Sequence, residues 1–438
     1  MPYDIILGRS ESDRKIFGKD GLVYIGKGFV KMGQYTSLSN KIYLDVARSH
    51  VILVAGKRGS GKSYTLGVLA EEISNLPKEI SQNIASLIFD TMGIYWTMKY
   101  ENEGDKKLLQ EWALKPVNLP VKVFVPFGHY DEFVDRGIPV DESFALDASE
   151  LTAEDWVTTF GLNLINPVST LIERALSSLG SLKKRFEIKD ILEVLQEDKK
   201  SEKETVNAAV GLFEAADTWG IFAKGKIKGT STKDLVKGGR TSVLDLSSYS
   251  SIGAFNVRAL VISLVSRKLF EERTMERRAE EVKSISKGLD YSAGVYEKKD
   301  YPLVWLFVDE AHEFLPMDEK IISTDALIQI LREGRQPGIS IVLATQQPGK
   351  IHTDVMTQSD LVISHRVTSE QDVKALNSMM QSYLTDTIQG YMNELPSLKG
   401  SAIILDDNSE RIYPMRVRPR FTWHGGQAPS AVPEKKEL

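Results

Sequence analysis

The chain has 438 residues, 42% hydrophobic and 26% charged, with a formal net charge of −5, enough for two or three globular domains or one elaborated α/β domain. It has no cysteine, which excludes disulfides, thiolate metal sites and a cysteine nucleophile. The acidic balance means that any nucleic-acid contact must use a local basic surface, not bulk charge. Apolar runs such as Leu260–Val265 are too short to span a bilayer. The N-terminus has no signal-peptide pattern, and the six histidines show no ligand spacing. A soluble, cytoplasmic protein with no membrane partner is expected.

Residues 1–48 read as a short β-rich segment. Gly21–Gly26 and Lys41–Leu44 run apolar or alternate between Gly, Asn and Ser. So few residues make a poor independent core, so the segment is expected to pack on the rest of the chain or on a neighbouring subunit. Residues 49–146 open a sheet domain. Val51–Val54 is an apolar, β-branched run suited to a buried parallel strand. The segment that follows, Gly56-Lys57-Arg58-Gly59-Ser60-Gly61-Lys62-Ser63-Tyr64, contains G-x-x-x-x-G-K-[ST]. Its glycines let successive N–H groups turn toward one anion, and the helix beginning near Gly61 adds its positive end. Lys62 is placed to reach the β- and γ-phosphates and the Ser63 hydroxyl to hold Mg²⁺. The alternative is a glycine-rich turn before an ordinary helix, which the strand–loop–helix context disfavours. Strands are predicted at Ala85–Asp90 and Val121–Pro126. Asp90, at a strand end, is open to three readings: a part in the Mg²⁺ shell, an ordering role, or a plain turn.

Residues 147–236 read as a helical insertion, with helices at Glu154–Leu164, Thr170–Leu179, Ile188–Gln196 and Val206–Ala216. It ends in a basic, glycine-containing loop with Lys224, Lys226 and Lys228. Such a loop can track a phosphate backbone or be a solvated surface loop, as can Lys183-Lys184-Arg185. The sheet domain resumes over 237–424. It has a strand at Thr241–Leu246, a helix at Ala254–Glu272, and a charged stretch, 274–300, expected to be a mobile loop. Leu303–Val308 is a buried strand delivering Asp309 and Glu310. Asp309 is the candidate for the Mg²⁺ shell and Glu310 for the general base that activates water. After a helix at Thr324–Arg332, the strand Ile339–Ala344 delivers Thr345, Gln346 and Gln347. An amide there can sense a γ-phosphate without adding charge. Arg332 and Arg335 are guanidinium candidates for transition-state charge, or solvated surface arginines. A strand at Leu361–Arg366, helices at Glu370–Met379 and Tyr383–Gly390, and a hairpin of Ser401–Leu405 with Arg411–Val417 complete the domain. Residues 425–438 read as a disordered tail.

In order, the motifs are the phosphate loop, Asp90-Thr-Met-Gly-Ile-Tyr95, Gly239-Arg-Thr-Ser-Val-Leu-Asp-Leu-Ser247, Val308-Asp-Glu-Ala-His-Glu-Phe-Leu-Pro316, Arg332-Glu-Gly-Arg335 and Ala344-Thr-Gln-Gln-Pro348. They resemble the HerA branch of the HerA/FtsK motor ATPases over roughly residues 45–420. The resemblance implies a RecA-like α/β P-loop core with a mostly parallel sheet, a helical insertion and a short N-terminal β segment. It also implies ATP and Mg²⁺ as cofactors, a homo-oligomer that is a hexameric ring, and ATP-driven movement on double-stranded DNA. Carried over residue by residue, Lys62 and Ser63 bind nucleotide and Mg²⁺, and Asp309 and Glu310 form the Walker B pair. Gln346 is the polar sensor, Arg335 acts on ATP across a subunit boundary, and Arg48 is a second such candidate. Archaeal members work beside the NurA nuclease; the N-terminal segment here is shorter than the β-barrel those proteins carry. Asp309-Glu-Ala-His312 also spells the box of DEAH helicases, but it stands much farther from the phosphate loop than in those tandem motors. The rival function is an ATP-controlled switch or scaffold that recruits a nuclease or other effector. A metabolic kinase lacks a recognisable acceptor pocket.

Overall fold

A computed structural model describes residues 3–32, 35–250, 255–287, 298–378, 388–426 and 431. Its strands are β1 (Ile5–Leu7), β2 (Leu22–Met32), β3 (Tyr35–Asp45), β4 (Val51–Ala55), β5 (Ile84–Asp90), β6 (Lys122–Pro126), β7 (Glu142–Phe144), β8 (Thr241–Asp245), β9 (Leu303–Val308), β10 (Ile339–Thr345), β11 (Leu361–His365), β12 (Ser401–Asp406) and β13 (Arg411–Val417). All thirteen join one sheet in the order β1-β3-β2-β13-β12-β11-β4-β10-β9-β5-β8-β6-β7. From β11 to β7 every pairing is parallel. Beyond β11 the sheet continues antiparallel through β12, β13, β2 and β3. The N-terminal strands therefore extend the sheet of the motor motifs: Gly26, Lys27 and Gly28 pair with Val417, Arg416 and Met415.

Both faces are covered, and the alternation along each central strand shows it. In β9, Val304, Leu306 and Val308 enter one core while Trp305 and Phe307 enter the other. The first core takes the helices between Ala153 and Asp217 and the long helix Phe255–Lys287; the second takes the phosphate-loop helix Lys62–Ser74 through Leu66, Val68, Leu69 and Ile73. Near-continuous apolar strands are what a doubly covered parallel sheet needs.

The stretch expected to be a loop over 274–300 is different in the structure. The helix that starts at Phe255 runs without a break to Lys287, about 50 Å at 1.5 Å per residue. Its first half is buried. Its second half is held by ladders such as Arg277 to Glu280 and Glu281, whose one-turn spacing supports a solvated helix. High charge there marks exposure, not irregular backbone. Residues 288–297 lie outside the described residues, as do 383–387 of the helix expected at Tyr383–Gly390; the remainder falls in a helix over Ile388–Glu394. The tail expected over 425–438 also lies outside them, apart from Gly425, Gly426 and Ala431. Among the described residues no helix is long and apolar enough to cross a membrane.

Candidate nucleotide site

β4 is the point where the connections diverge, with β11 on one side and β10 on the other. Open parallel sheets place ligands at that point, beyond the strands' carboxyl ends. Gly56, Asp90, Asp245, Asp309, Thr345 and His365 all fall at that edge, at the ends of β4, β5, β8, β9, β10 and β11.

The phosphate loop hangs between its two neighbours. Gly56 N–H donates to Thr345 O (3.3 Å) and Lys57 N–H to Arg366 O (3.0 Å). The helix it enters is capped by Gly61, with φ of 112° and no side-chain cap. First-turn N–H groups are therefore left without a side-chain acceptor, as an anion site requires. His365, fully buried, forms the floor: a Cβ on Gly56 would lie 2.7 Å from the His365 Cβ. The ring bridges Ser401 O (3.1 Å) and the Thr65 hydroxyl (2.8 Å). Burial pushes it down to about 4, so it is neutral: Nδ1–H donates to the carbonyl and Nε2 accepts from Thr65.

Lys62 is buried, and its Nζ has one weak contact, to Lys57 O at 3.4 Å. Burial pushes its ammonium down, against the pull of Glu310 and Asp309. Asp309 accepts Glu310 N–H on Oδ1 (2.9 Å) and the Tyr95 hydroxyl on Oδ2 (3.1 Å). Glu310 is in the left-handed region, φ 52° and ψ 42°, costing about 1 kcal/mol for a non-glycine residue. That bend turns its carboxylate back toward the loop. Oε2 is buried without a hydrogen-bond partner, with His312 Nδ1 3.6 Å away. Burial first, then Asp309, push the Glu310 carboxyl up to about 7, against Lys62. His312 is pushed down to about 4 by burial, Lys62 and Lys350, and its Nδ1 lies 3.2 Å from Thr345 Oγ1. Thr345 Oγ1 also accepts Gln347 N–H (3.0 Å). Gln346 is half-buried beside it. The weakly held Lys62, the uncapped helix end and the unpartnered Glu310 oxygen fit a polyphosphate. The Ser63 hydroxyl with an Asp309 carboxylate is the oxygen donor set that suits Mg²⁺.

The other candidates are not gathered here. Arg332 and Arg335 are exposed at the amino end of β10, a strand length of about 20 Å from Thr345, and Arg332 pairs with Asp354 at 2.7 Å. Arg48 lies before the amino end of β4, paired with Asp13 at 2.9 Å and over the Phe17 ring at 5.1 Å. Lys224, Lys226 and Lys228 are exposed on a loop beside Ala145–Asp147 at the β7 edge, and Lys224 pairs with Asp217 at 3.4 Å. Six strand spacings separate β7 from β4, on the order of 30 Å. The Tyr64 hydroxyl accepts Arg420 N–H at 2.6 Å, so its side chain is turned to the segment after β13. Asp90 is an ordering residue: its carboxylate accepts the N–H groups of Met92, Gly93 and Tyr95 at 3.2, 2.8 and 2.7 Å. Sequence reasoning missed Tyr95 and His365. The available signals were a tyrosine inside the Asp90 motif and a histidine closing the apolar run Leu361–Ser364.

A family model described as "Helicase HerA, central domain" matches residues 30–269, more than half of the chain. The chain belongs to this family. It is accordingly a P-loop ATPase of the HerA branch. The probable DNA double-strand break repair helicase HerA of Methanocaldococcus jannaschii is 23% identical over 397 residues, 87% of this chain and 75% of the relative. HerA of Sulfurisphaera tokodaii is 23% identical over 372 residues, 83% of this chain and 64% of the relative, just under two-thirds. Among solved structures, VirB4 of Thermoanaerobacter pseudethanolicus aligns with a TM-score of 0.58 at 11% identity, covering 91% of this chain and 97% of that one, a likeness of fold. A model for zonular occludens toxin (Zot) also matches residues 254–391.

Proposed function

We propose that the protein is an ATP-driven DNA translocase of the HerA type, whose sites lie between subunits of a ring, hexameric by family resemblance, that moves double-stranded DNA. Residues 49–146 and 237–424 form the motor, 147–236 its helical insertion and 1–48 its β extension. The observation that carries the reading is the convergence of the uncapped phosphate loop, Asp309-Glu310 and Thr345-Gln346 on one sheet edge of a HerA-family chain.

In this reading the backbone of Gly59–Ser63 binds the β-phosphate and Lys62 neutralises the β- and γ-oxygens. Mg²⁺, when bound through Ser63 and Asp309, supplies neutralising charge to the phosphates. Glu310 Oε2, buried and without a partner, accepts a proton from the attacking water. Gln346 orients toward the γ-phosphate. Placement of Arg335 at the far end of β10 supports a role on a neighbour's nucleotide, as a heterologous ring interface supplies. Basic loops step along phosphates without reading bases. The test is ATP hydrolysis by wild type and Glu310→Gln with and without long duplex DNA. DNA-stimulated turnover that the substitution removes is the expected result.

A further inference from the structure

Tyr95 belongs to neither nucleotide motif, yet its hydroxyl touches both. The residue is fully buried on the 3-10 turn after β5. Its Oη stands 3.1 Å from Asp309 Oδ2 and 3.3 Å from Ser63 O. A phenol has one proton. The carboxylate is nearer and charged, so it takes the stronger bond. A phenol keeps its proton at neutral pH and so donates. With Glu310 N–H on Oδ1 at 2.9 Å, both oxygens of Asp309 are held by donors of this chain.

The ring is itself held from below. Asp90 Oδ2 accepts Tyr95 N–H at 2.7 Å, and Oδ1 accepts Met92 and Gly93. The turn passes through Gly93 at φ 68°. Asp90 faces Asp245 in the β5–β8 register, and Asp245 accepts Ser247 N–H at 2.9 Å. Burial and that neighbour push Asp90 upward, against the three N–H groups.

We propose that Tyr95 is a positioning residue for the metal-binding carboxylate: its hydroxyl locks Asp309 in register with the Ser63 end of the phosphate-loop helix, and Asp90 locks Tyr95. The proposal rests on reading Asp309 and Ser63 as the Mg²⁺ donors of a nucleotide site. Without the hydroxyl, Asp309 Oδ2 loses its donor and the carboxylate is free to turn. The phosphate loop loses only the long 3.3 Å contact at Ser63 O and keeps its hydrogen bonds to Thr345 O and Arg366 O. The defect therefore falls on Mg²⁺-dependent binding and spares metal-free binding.

The experiment is equilibrium binding of a fluorescent non-hydrolysable ATP analogue to the full chain, in EDTA and across a Mg²⁺ titration. Wild type, Tyr95→Phe, Asp90→Asn and Lys62→Ala are compared. Lys62→Ala abolishes binding in both conditions. For Tyr95→Phe, affinity in EDTA stays at the wild-type value, while the Mg²⁺ concentration for half-maximal tightening rises about tenfold, the usual cost of losing a partner that orients a metal ligand. Asp90→Asn sets an amide N–H₂ against either Tyr95 N–H or the Met92 and Gly93 N–H groups, loosens the turn that holds Tyr95 and shifts the Mg²⁺ midpoint the same way, so the test survives if the phenylalanine variant fails to fold. A Mg²⁺ midpoint unmoved in the folded variants overturns the proposal, as does an equal loss in EDTA and in Mg²⁺. A wild-type protein that binds no analogue overturns the nucleotide reading, and the proposal with it.

Discussion

Glu310 concentrates the cost of the site in one side chain. Its backbone is left-handed, its Oε2 is unpartnered, and its carboxyl is pushed up to about 7 from 4.5. A folded-state value above the unfolded one means the folded chain holds that proton more tightly. The stabilisation is complete below about pH 4 and is lost as pH rises through about 7. In metal-free, nucleotide-free protein, Glu310→Gln is therefore expected to be more stable than wild type at pH 8, by roughly 2 kcal/mol after allowing for solvent screening. Denaturant titrations should show the gap closing toward pH 5; a gap that widens on acidification contradicts the assignment. Lys62, Ser63, Asp309 and Glu310 were legible in the sequence because their chemistry depends on local spacing. Tyr95 and His365 were not, because each acquires its partner across the sheet: Asp309 is far in sequence from Tyr95, as Thr65 is from His365.

At the scale of elements, the phosphate-loop helix is held from outside by the segment that follows β13. Glu71, fully buried on that helix, pairs with Arg418 at 3.0 Å and Arg420 at 2.9 Å, and accepts the N–H groups of Phe421 and Thr422. Burial alone would push the Glu71 carboxyl up, but Arg420 and Arg418 outweigh it and hold it below its ordinary range. The close approach needs Gly67, where a Cβ would lie 2.6 Å from the Arg420 Cζ. Glu71→Ala leaves the buried Arg420 guanidinium without a carboxylate, while Arg418 keeps Glu72 at 2.9 Å, so unfolding free energy should fall by about 3 kcal/mol. Chemical denaturation measures it, and a loss under about 1 kcal/mol would mean that water replaces the carboxylate. At the other end of the sheet His50 joins the N-terminal strands to the motor. It lies between Asp45, which ends β3, and Asp360, and these carry it up to about 9 against burial. The positions of the central strands and of the helices between Ala153 and Asp217 were foreseeable from apolar runs and periodicity; the order of the strands in the sheet was not. The pairing of Arg418 and Arg420 with Glu71 was not foreseeable either, because Arg-Pro-Arg after a strand looks like solvated surface until Glu71 is known to lie beneath it.

At the scale of the molecule, the chain gathers the G-x-x-x-x-G-K-S loop, Asp309, Glu310 and Gln346 at one sheet edge and places Arg335 at the other end of β10. If Arg335 serves a neighbour's nucleotide, Lys62→Ala and Arg335→Ala should each lose hydrolysis alone and regain part of it when mixed. A mixed interface pairs an intact Lys62 with an intact Arg335. Mixtures no more active than their components would mean that Arg335 is not shared. The basic loop at Lys224, Lys226 and Lys228 lies on the order of 30 Å from β4. Its contribution to DNA binding should therefore appear as a smaller salt slope, with ATP affinity unchanged; lost ATP affinity in a triple alanine variant contradicts that separation. Motif order carries the family resemblance, since every motif but Arg332-Glu-Gly-Arg335 lies at the end of a strand of the same sheet. Contacts between subunits leave no periodic trace in one chain, so the ring is an expectation of the resemblance alone.

The most direct measurement is steady-state ATP hydrolysis by wild type and Glu310→Gln, with and without long duplex DNA, at low and moderate salt. The motor account predicts turnover that rises with duplex, falls back as salt screens the phosphates, and disappears in Glu310→Gln while ATP remains bound. Hydrolysis indifferent to duplex at both salt concentrations would contradict it and point to a switch whose activator is a protein.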